Sequence, residues 1–232
     1  MRVSEPDFDR LAADYEQLLD DPLRRGFAGD SEFFIHQKCR AVLRELGRTG
    51  APSSPRLLDV GCGLGTAMAF LGRVARVVGT DVSLPMLRMA VERGPVAVQE
   101  PFDLPFADAT FDAAFAFCVY HHIDAREQSR HLRELGRVVV PGGRVLVFEH
   151  NPYNPVTRRI FARASIDQGC HMIPPSRLRT IFHEAGLVEV HHGYLLFMPQ
   201  VVWQWAGFLE PLLAWLPLGG QYYVSARRPE QR

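Results

Sequence analysis

The chain has 232 residues, enough for one large domain or two small ones, so the order of elements has to decide between them. Its 26 basic and 26 acidic side chains cancel to a formal charge of zero, which removes any bulk attraction to phosphate backbones or anionic lipid, and no nucleic-acid partner is expected. The four cysteines, Cys39, Cys62, Cys118 and Cys170, are widely spaced with no C-x-x-C pair, a pattern that argues against a disulfide framework or a zinc site and fits reduced thiols.

In chain order, the N-terminal stretch MRVSEPDFDRLAADYEQLLDD has no basic region followed by an apolar run, so no signal peptide is read there and a cytoplasmic protein is expected. Lys38 is the single lysine among the basic residues; the arginine bias fits a GC-rich bacterial genome and carries no chemistry. Residues 1–50 read as a helical cap, and GAPSSP at 50–55 is the one plausible seam. Beyond it come an apolar run at 56–60, a helix at about 64–73, a run at 76–80 and a helix at about 83–93. Strand-helix alternation implies a parallel sheet. It continues with runs at 95–99 and 111–117, a charged helix at about 125–137 and a run at 144–149 set off by Pro141, Gly142 and Gly143. A loop at 150–173, a helix at 174–185 closed by Gly186, and runs at 187–192 and 221–227 complete the pattern. The expected architecture is a single α/β domain. It has a Rossmann-like, seven-stranded, mostly parallel sheet with an antiparallel last hairpin and helices on both faces. Residues 55–150 form its ligand-binding core, and 150–218 carry loop and lid elements.

Candidate chemistry starts at LLDVGCGLGT, residues 57–66, where an apolar strand runs into glycines and then a helix. Such a turn lets a ligand approach the backbone closely. The alternative is a tight strand-to-helix turn with no ligand. Gly61, Gly63 and Gly65 are spaced G-x-G-x-G after Asp59, not the G-x-G-x-x-G of a dinucleotide site. Asp81 ends the second strand, where its carboxylate can accept both hydroxyls of a ribose; Ser83 reads as a helix N-cap.

These segments resemble the class I SAM-dependent methyltransferases, in particular the small-molecule branch with the quinone-biosynthesis methyltransferases. The resemblance runs over about residues 8–150. It is carried by LLDVGCGLGT at 57–66, GTDVSLPMLRMA at 79–90, DLPFADATFDAAF at 103–115, HHI at 121–123 and LRELGRVVVPGGRVLVFE at 132–149. The resemblance implies S-adenosyl-L-methionine (SAM) as cofactor, its methionine part on Asp59, Gly61, Cys62, Gly63 and Gly65, its ribose on Asp81, and its adenine between Val82 and Met86. It further implies Glu100 at the adenine amino group. Pro101 has no N–H to offer the ring, which leaves Phe102 or stacking. Tyr15, in the family-like FDRLAADY, and Phe117 complete the implied cofactor set.

Catalysis by such an enzyme is mainly positioning, since the sulfonium methyl is already activated. A base is needed only for a hydroxyl or a protonated amine, and histidine suits it. Tyr120, His121 and His122 follow the fourth strand, and His150, Asn151 and Tyr153 follow the fifth. His121 and His150 are the preferred bases, with Tyr120 and Asn151 beside them. No metal is expected, because the histidines lack an H-E-x-x-H spacing.

The segment 194–218 is rich in apolar residues, but Gln200, Gln204, Glu210 and three prolines interrupt it, so no membrane insertion is expected. It reads as a lid or a homodimer contact, or as an acceptor pocket lined by Phe197, Trp203, Trp205 and Phe208. The function implied is methyl transfer to an O, N or C atom of a small, partly apolar metabolite. SAM chemistry without methyl transfer, such as cyclisation of its aminobutyryl chain, and a non-catalytic nucleotide-binding module stand as alternatives.

Overall fold

The computed structural model describes residues 8–48 and 50–230, apart from the side chain of Glu16. The first seven residues of the expected cap lie outside that range. The rest of the cap comprises short helices α1 (Phe8–Leu11), α2 (Tyr15–Leu18) and α3 (Pro22–Phe27) before a long α4 (Glu32–Gly47). In α4, Phe33, Gln37 and Ala41 and, one position on, Lys38, Val42 and Leu46 recur every four residues and are buried. That i, i+4 stripe is the face that packs on the sheet.

Seven strands follow: β1 (Arg56–Val60), β2 (Arg76–Asp81), β3 (Val96–Val98), β4 (Phe111–Phe117), β5 (Val139–His150), β6 (Val188–Leu195) and β7 (Gln221–Arg227). Their order in the sheet is β3-β2-β1-β4-β5-β7-β6. β1 pairs in parallel with β2 and β4, as do β2 with β3 and β4 with β5. β7 runs antiparallel to both β5 and β6, the hairpin expected from sequence. The connecting helices are α5 (Thr66–Leu71), α6 (Leu84–Ala90), α7 (Gln128–Val138), α8 (Pro155–Phe161), α9 (Pro175–Glu184) and α10 (Gln200–Ala206).

Side-chain alternation sorts the core into two layers. Leu57, Ala113, Phe115, Leu146 and Phe148 face α4 and α5, whereas Leu58, Val60, Ala114, Val145 and Val147 face α7 and α9. Each fully buried Phe or Leu contributes about 1.5–3 kcal/mol. The order reverses at β1, whose neighbours β2 and β4 lead to opposite halves of the sheet, and the carboxyl ends there form the usual crevice of an open α/β sheet.

Three expectations are corrected. β5 begins at Val139 and runs through Pro141 to Gly143, with a register shift against β4 between Phe111 and Ala113. The expected loop at 150–173 contains α8, capped by the Asn154 side chain, which accepts from Val156 N–H and Thr157 N–H at 2.9 and 3.0 Å. The apolar segment opens as the end of β6 and turns into α10. There Trp203 packs on Phe33 and under the Arg40 guanidinium, while Trp205 (85% exposed) and Phe208 (77%) point to solvent. Helical periodicity separates Trp203 from Trp205, and of the four aromatics Phe197 lines one of the two cavities described below while the other three line neither. No helix among the described residues is long and apolar enough to cross a membrane.

Candidate active site

The glycine turn is held to β2 by backbone bonds from Gly61 and Cys62 N–H to the Thr80 carbonyl, at 2.8 and 2.9 Å. Gly61 has φ +70°, and a Cβ there would stand 2.6 Å from Val119 Cγ2. Gly63, φ +52°, has open space where a Cβ would be, and its N–H donates to Asp81 Oδ2 at 2.9 Å while Ser83 N–H donates to Oδ1 at 2.9 Å. Burial lifts the Asp81 carboxyl, and those N–H bonds oppose the rise. The Ser83 hydroxyl caps α6, accepting from Met86 N–H at 3.4 Å.

Above this turn lies a cavity of about 520 Å³. Of the residues expected to hold the cofactor, Tyr15, Gly61, Gly63, Asp81, Val82, Met86, Pro101, Phe102 and Phe117 line it. The others stand behind or beside it. Gly65 is the left-handed N-cap of α5 against Ala90. Cys62 is buried, and its thiol is pushed up by burial and by Asp59. Asp59 is buried beneath the turn with Oδ2 unpartnered, and burial with the charge of Asp81, against Lys38, raises it to about 8. Glu100 is corrected outright: it is exposed, in a backbone bridge with Asp103. The preceding Gln99 lines the cavity, nine-tenths buried, with Oε1 lacking any partner. Phe8 and Asp9 of α1, which open the FDRLAADY segment, also line it, although only Tyr15 of that segment was singled out from sequence.

A second cavity, about 290 Å³, adjoins the first and shares Tyr15, Phe117, Cys118 and His122 with it. Leu18, Leu23, Phe34, Ile160, Phe161 and Leu196 make much of its wall apolar. One end is polar, built from His121, His122, His150 and Asp167. His121 is clamped: Nδ1 lies 2.7 Å from Glu149 Oε2 and Nε2 lies 3.2 Å from Asp167 Oδ1. Burial would lower its pKa, but the charge of Glu149 and the bonds to both carboxylates outweigh burial, and the imidazole stands well above its ordinary value. His122, with Nε2 3.6 Å from Asp167 Oδ1 and Nδ1 3.2 Å from Cys170 Sγ, is lowered to about 4 by burial and by the charge of His121. It stays neutral at physiological pH.

Two of the expected catalytic residues are elsewhere. Tyr120 is fully buried on the other face of the sheet, its hydroxyl 3.1 Å from His131 Nδ1. Asn151 is fully buried and donates to the Pro217 and Gly219 carbonyls, fastening the chain that leads into β7. Consecutive residues in a turn diverge, so adjacency to His121 and His150 did not bring them to the cavity. Cys118, which sequence reading passed over, sits between the two cavities with φ +58°. Its Sγ is 3.7 Å from Lys38 Nζ and 3.4 Å from Gln221 Nε2. Burial would raise the thiol, but Lys38 and His150 bring it down to about 7.

The Methyltransferase domain family matches residues 58–147. The chain is 34% identical over 168 residues to the ubiquinone/menaquinone biosynthesis C-methyltransferase of Syntrophotalea carbinolica, covering 67% of this chain and 65% of that protein. It is 35% identical over 98 residues to the tRNA (carboxymethyluridine(34)-5-O)-methyltransferase of Arabidopsis thaliana, covering 41% of this chain and 24% of that one. The chain thus spans less than two thirds of the length of either curated relative. A SAM-dependent methyltransferase of Thermotoga maritima has the same fold, with TM-score 0.69 at 19% identity over 95% of this chain and 98% of that one. The glycine turn and the acid at the end of β2 sit inside residues 58–147, so that stretch is a methyltransferase domain, and the 3-2-1-4-5-7-6 sheet around it has the SAM-dependent methyltransferase fold.

Proposed function

We propose that this chain transfers the sulfonium methyl of SAM to a hydroxyl oxygen of a small, partly apolar acceptor held in the 290 Å³ cavity. The observation that carries this reading is the junction of the two cavities at Tyr15, Phe117, Cys118 and His122. Gln99, Pro101 and Phe102 would hold the adenine of a cofactor in the larger cavity. The residues present fit SAM: the unpartnered Gln99 Oε1 suits an amino group, Asp81 suits the ribose hydroxyls, and the open Gly63 suits a close-lying methionine chain.

SAM supplies an electrophilic methyl and a leaving thioether; the protein supplies placement, dryness and a proton acceptor. Tyr15 and Phe117 wall both cavities, where their rings would keep water from the transfer. His122 is the preferred base in place of His121, which is already clamped between two carboxylates. Neutral His122 is the group placed to take the acceptor proton, with Asp167 at 3.6 Å favouring the resulting imidazolium against burial and the charge of His121. A small, partly apolar cavity and zero formal charge favour a small metabolite over a nucleic acid.

Incubation with methyl-labelled SAM and a panel of hydroxylated aromatic and quinoid acceptors, with bulk tRNA alongside, tests this. Label in a small acceptor, reduced at least tenfold in His122→Ala, is expected. Label in tRNA alone would overturn it.

A further inference from the structure

His121 follows β4, His150 ends β5, and Asp167 lies in a short turn after α8. The fold brings one ligand atom from each within 4.8 Å of the others, at the polar end of the smaller cavity. Behind them Glu149, fully buried, accepts from Tyr120 and His121 N–H on Oε1 and meets His121 Nδ1 on Oε2 at 2.7 Å. That bond fixes the imidazole so that Nε2 faces Asp167 and the cavity. A carboxylate holding the far nitrogen of a histidine is the usual support of a metal ligand.

We propose that His121 Nε2, His150 and Asp167 form a binding site for one divalent transition-metal ion whose open positions face the acceptor cavity. Two imidazoles and one carboxylate suit Zn²⁺, Fe²⁺ or Mn²⁺, not the all-oxygen sites of Mg²⁺ or Ca²⁺. Ligand atoms at about 2.1 Å from a tetrahedral ion stand about 3.4 Å apart. The His121 Nε2 to Asp167 Oδ1 distance of 3.2 Å already meets that spacing. The remaining separations close by at most about 1.5 Å, within the reach of a His150 rotation.

The role of the ion, though not the site, rests on the methyl-transfer reading above. An acceptor with two adjacent oxygens, such as a vicinal diol of an aromatic ring or a hydroxyl beside a carbonyl, fills the open positions. The ion acidifies the hydroxyl, whose proton passes to His122, which is not a ligand. An oxygen lone pair then forms the O–CH₃ bond as the S–CH₃ bond breaks, and its electron pair stays on sulfur, giving S-adenosylhomocysteine, a neutral thioether.

Chelator-treated wild-type protein is titrated with Co²⁺, followed by its visible absorption, and with Zn²⁺ by calorimetry. SAM affinity is measured on the same samples. One equivalent of either ion is expected at micromolar Kd or tighter, weakened at least tenfold in Asp167→Asn and in His150→Gln, with SAM affinity within twofold of wild type. Absence of stoichiometric binding to wild-type protein overturns the site without reference to any variant. So does binding undiminished in both variants. Full methyl transfer by metal-free protein overturns the role and leaves methyl transfer standing; metal bound as expected with no methyl transfer to any acceptor leaves the site standing and removes the reaction.

Discussion

Asp81→Asn probes the cofactor end of the site. The carboxylate holds Gly63 N–H on one oxygen and Ser83 N–H on the other, both at 2.9 Å, and its remaining lone pairs are the ones offered to a ribose. An amide keeps one acceptor oxygen and sets its NH₂ against a backbone N–H, so one ribose bond and one loop anchor are lost together. A hydrogen bond to a charged group is worth about 1.5–3 kcal/mol. At about 1.4 kcal/mol per tenfold, the lost ribose bond alone raises the Kd for SAM roughly 10- to 150-fold. Calorimetric titration of wild type and variant at one pH and ionic strength reads this, with thermal unfolding to confirm that the turn persists. A Kd within threefold of wild type in a folded variant would refute the placement of the ribose on Asp81. Because burial lifts the Asp81 carboxyl above its ordinary value, wild-type affinity should also weaken on the acid side earlier than an exposed aspartate would cause.

Gln99→Leu is expected to weaken SAM binding about tenfold, one buried hydrogen bond at about 1–1.5 kcal/mol, whereas Glu100→Ala should leave Kd within twofold; the reverse order would restore Glu100 as the adenine contact. Asp59 has a folded pKa of about 8 above its unfolded value of 3.8, so its contribution to stability is full below pH 3.8 and is lost as pH rises through about 8. Asp59→Asn removes that slope and should stabilise the SAM-free protein by on the order of 5 kcal/mol at pH 8, measured by urea unfolding across pH; an unchanged slope would mean that the carboxyl is already ionised. Glu149 and Asp167 are the opposite case. Burial opposes their ionisation, but the charge and hydrogen bonds of His121 hold both carboxyls below their ordinary values. Their contribution is present above about pH 4.5 and lost as pH falls through the folded values. Glu149→Gln leaves a buried imidazole without its partner and should cost about 3 kcal/mol at pH 7. Its acid-side loss of stability should be shallower than that of wild type, and equal losses would contradict the clamp.

Much of the fold was readable because the parallel core has both faces buried. Apolar runs such as RLLDV and FDAAFAF belong to β1 and β4, the latter with the same bounds at 111–117. The glycine turn and Asp81 were readable because their chemistry is local: a turn, a strand end and a cap within a few residues. Pro141 to Gly143 misled because a turn-like triplet here carries a register irregularity inside β5. Glu100 was preferred because the resemblance puts an acid at that position, yet alternation carried past the end of β3 buries Gln99 between exposed Val98 and Glu100; period two was the available signal. The helical period in α10 likewise separates Trp203 from Trp205. Asp167 is 46 residues from His121, in a stretch read as loop, and no sequence spacing could have joined them. Polar clusters assembled by tertiary folding stay invisible to motif reading even when each histidine is noticed singly.

The most direct measurement is mass spectrometry of the nucleoside left after purified protein is incubated with SAM, with and without a small-metabolite extract. The account predicts S-adenosylhomocysteine only with extract, matched mole for mole by a small acceptor that gains one methyl group and loses it as the target in His122→Ala. Methylthioadenosine, or S-adenosylhomocysteine with no methylated small molecule, would contradict it.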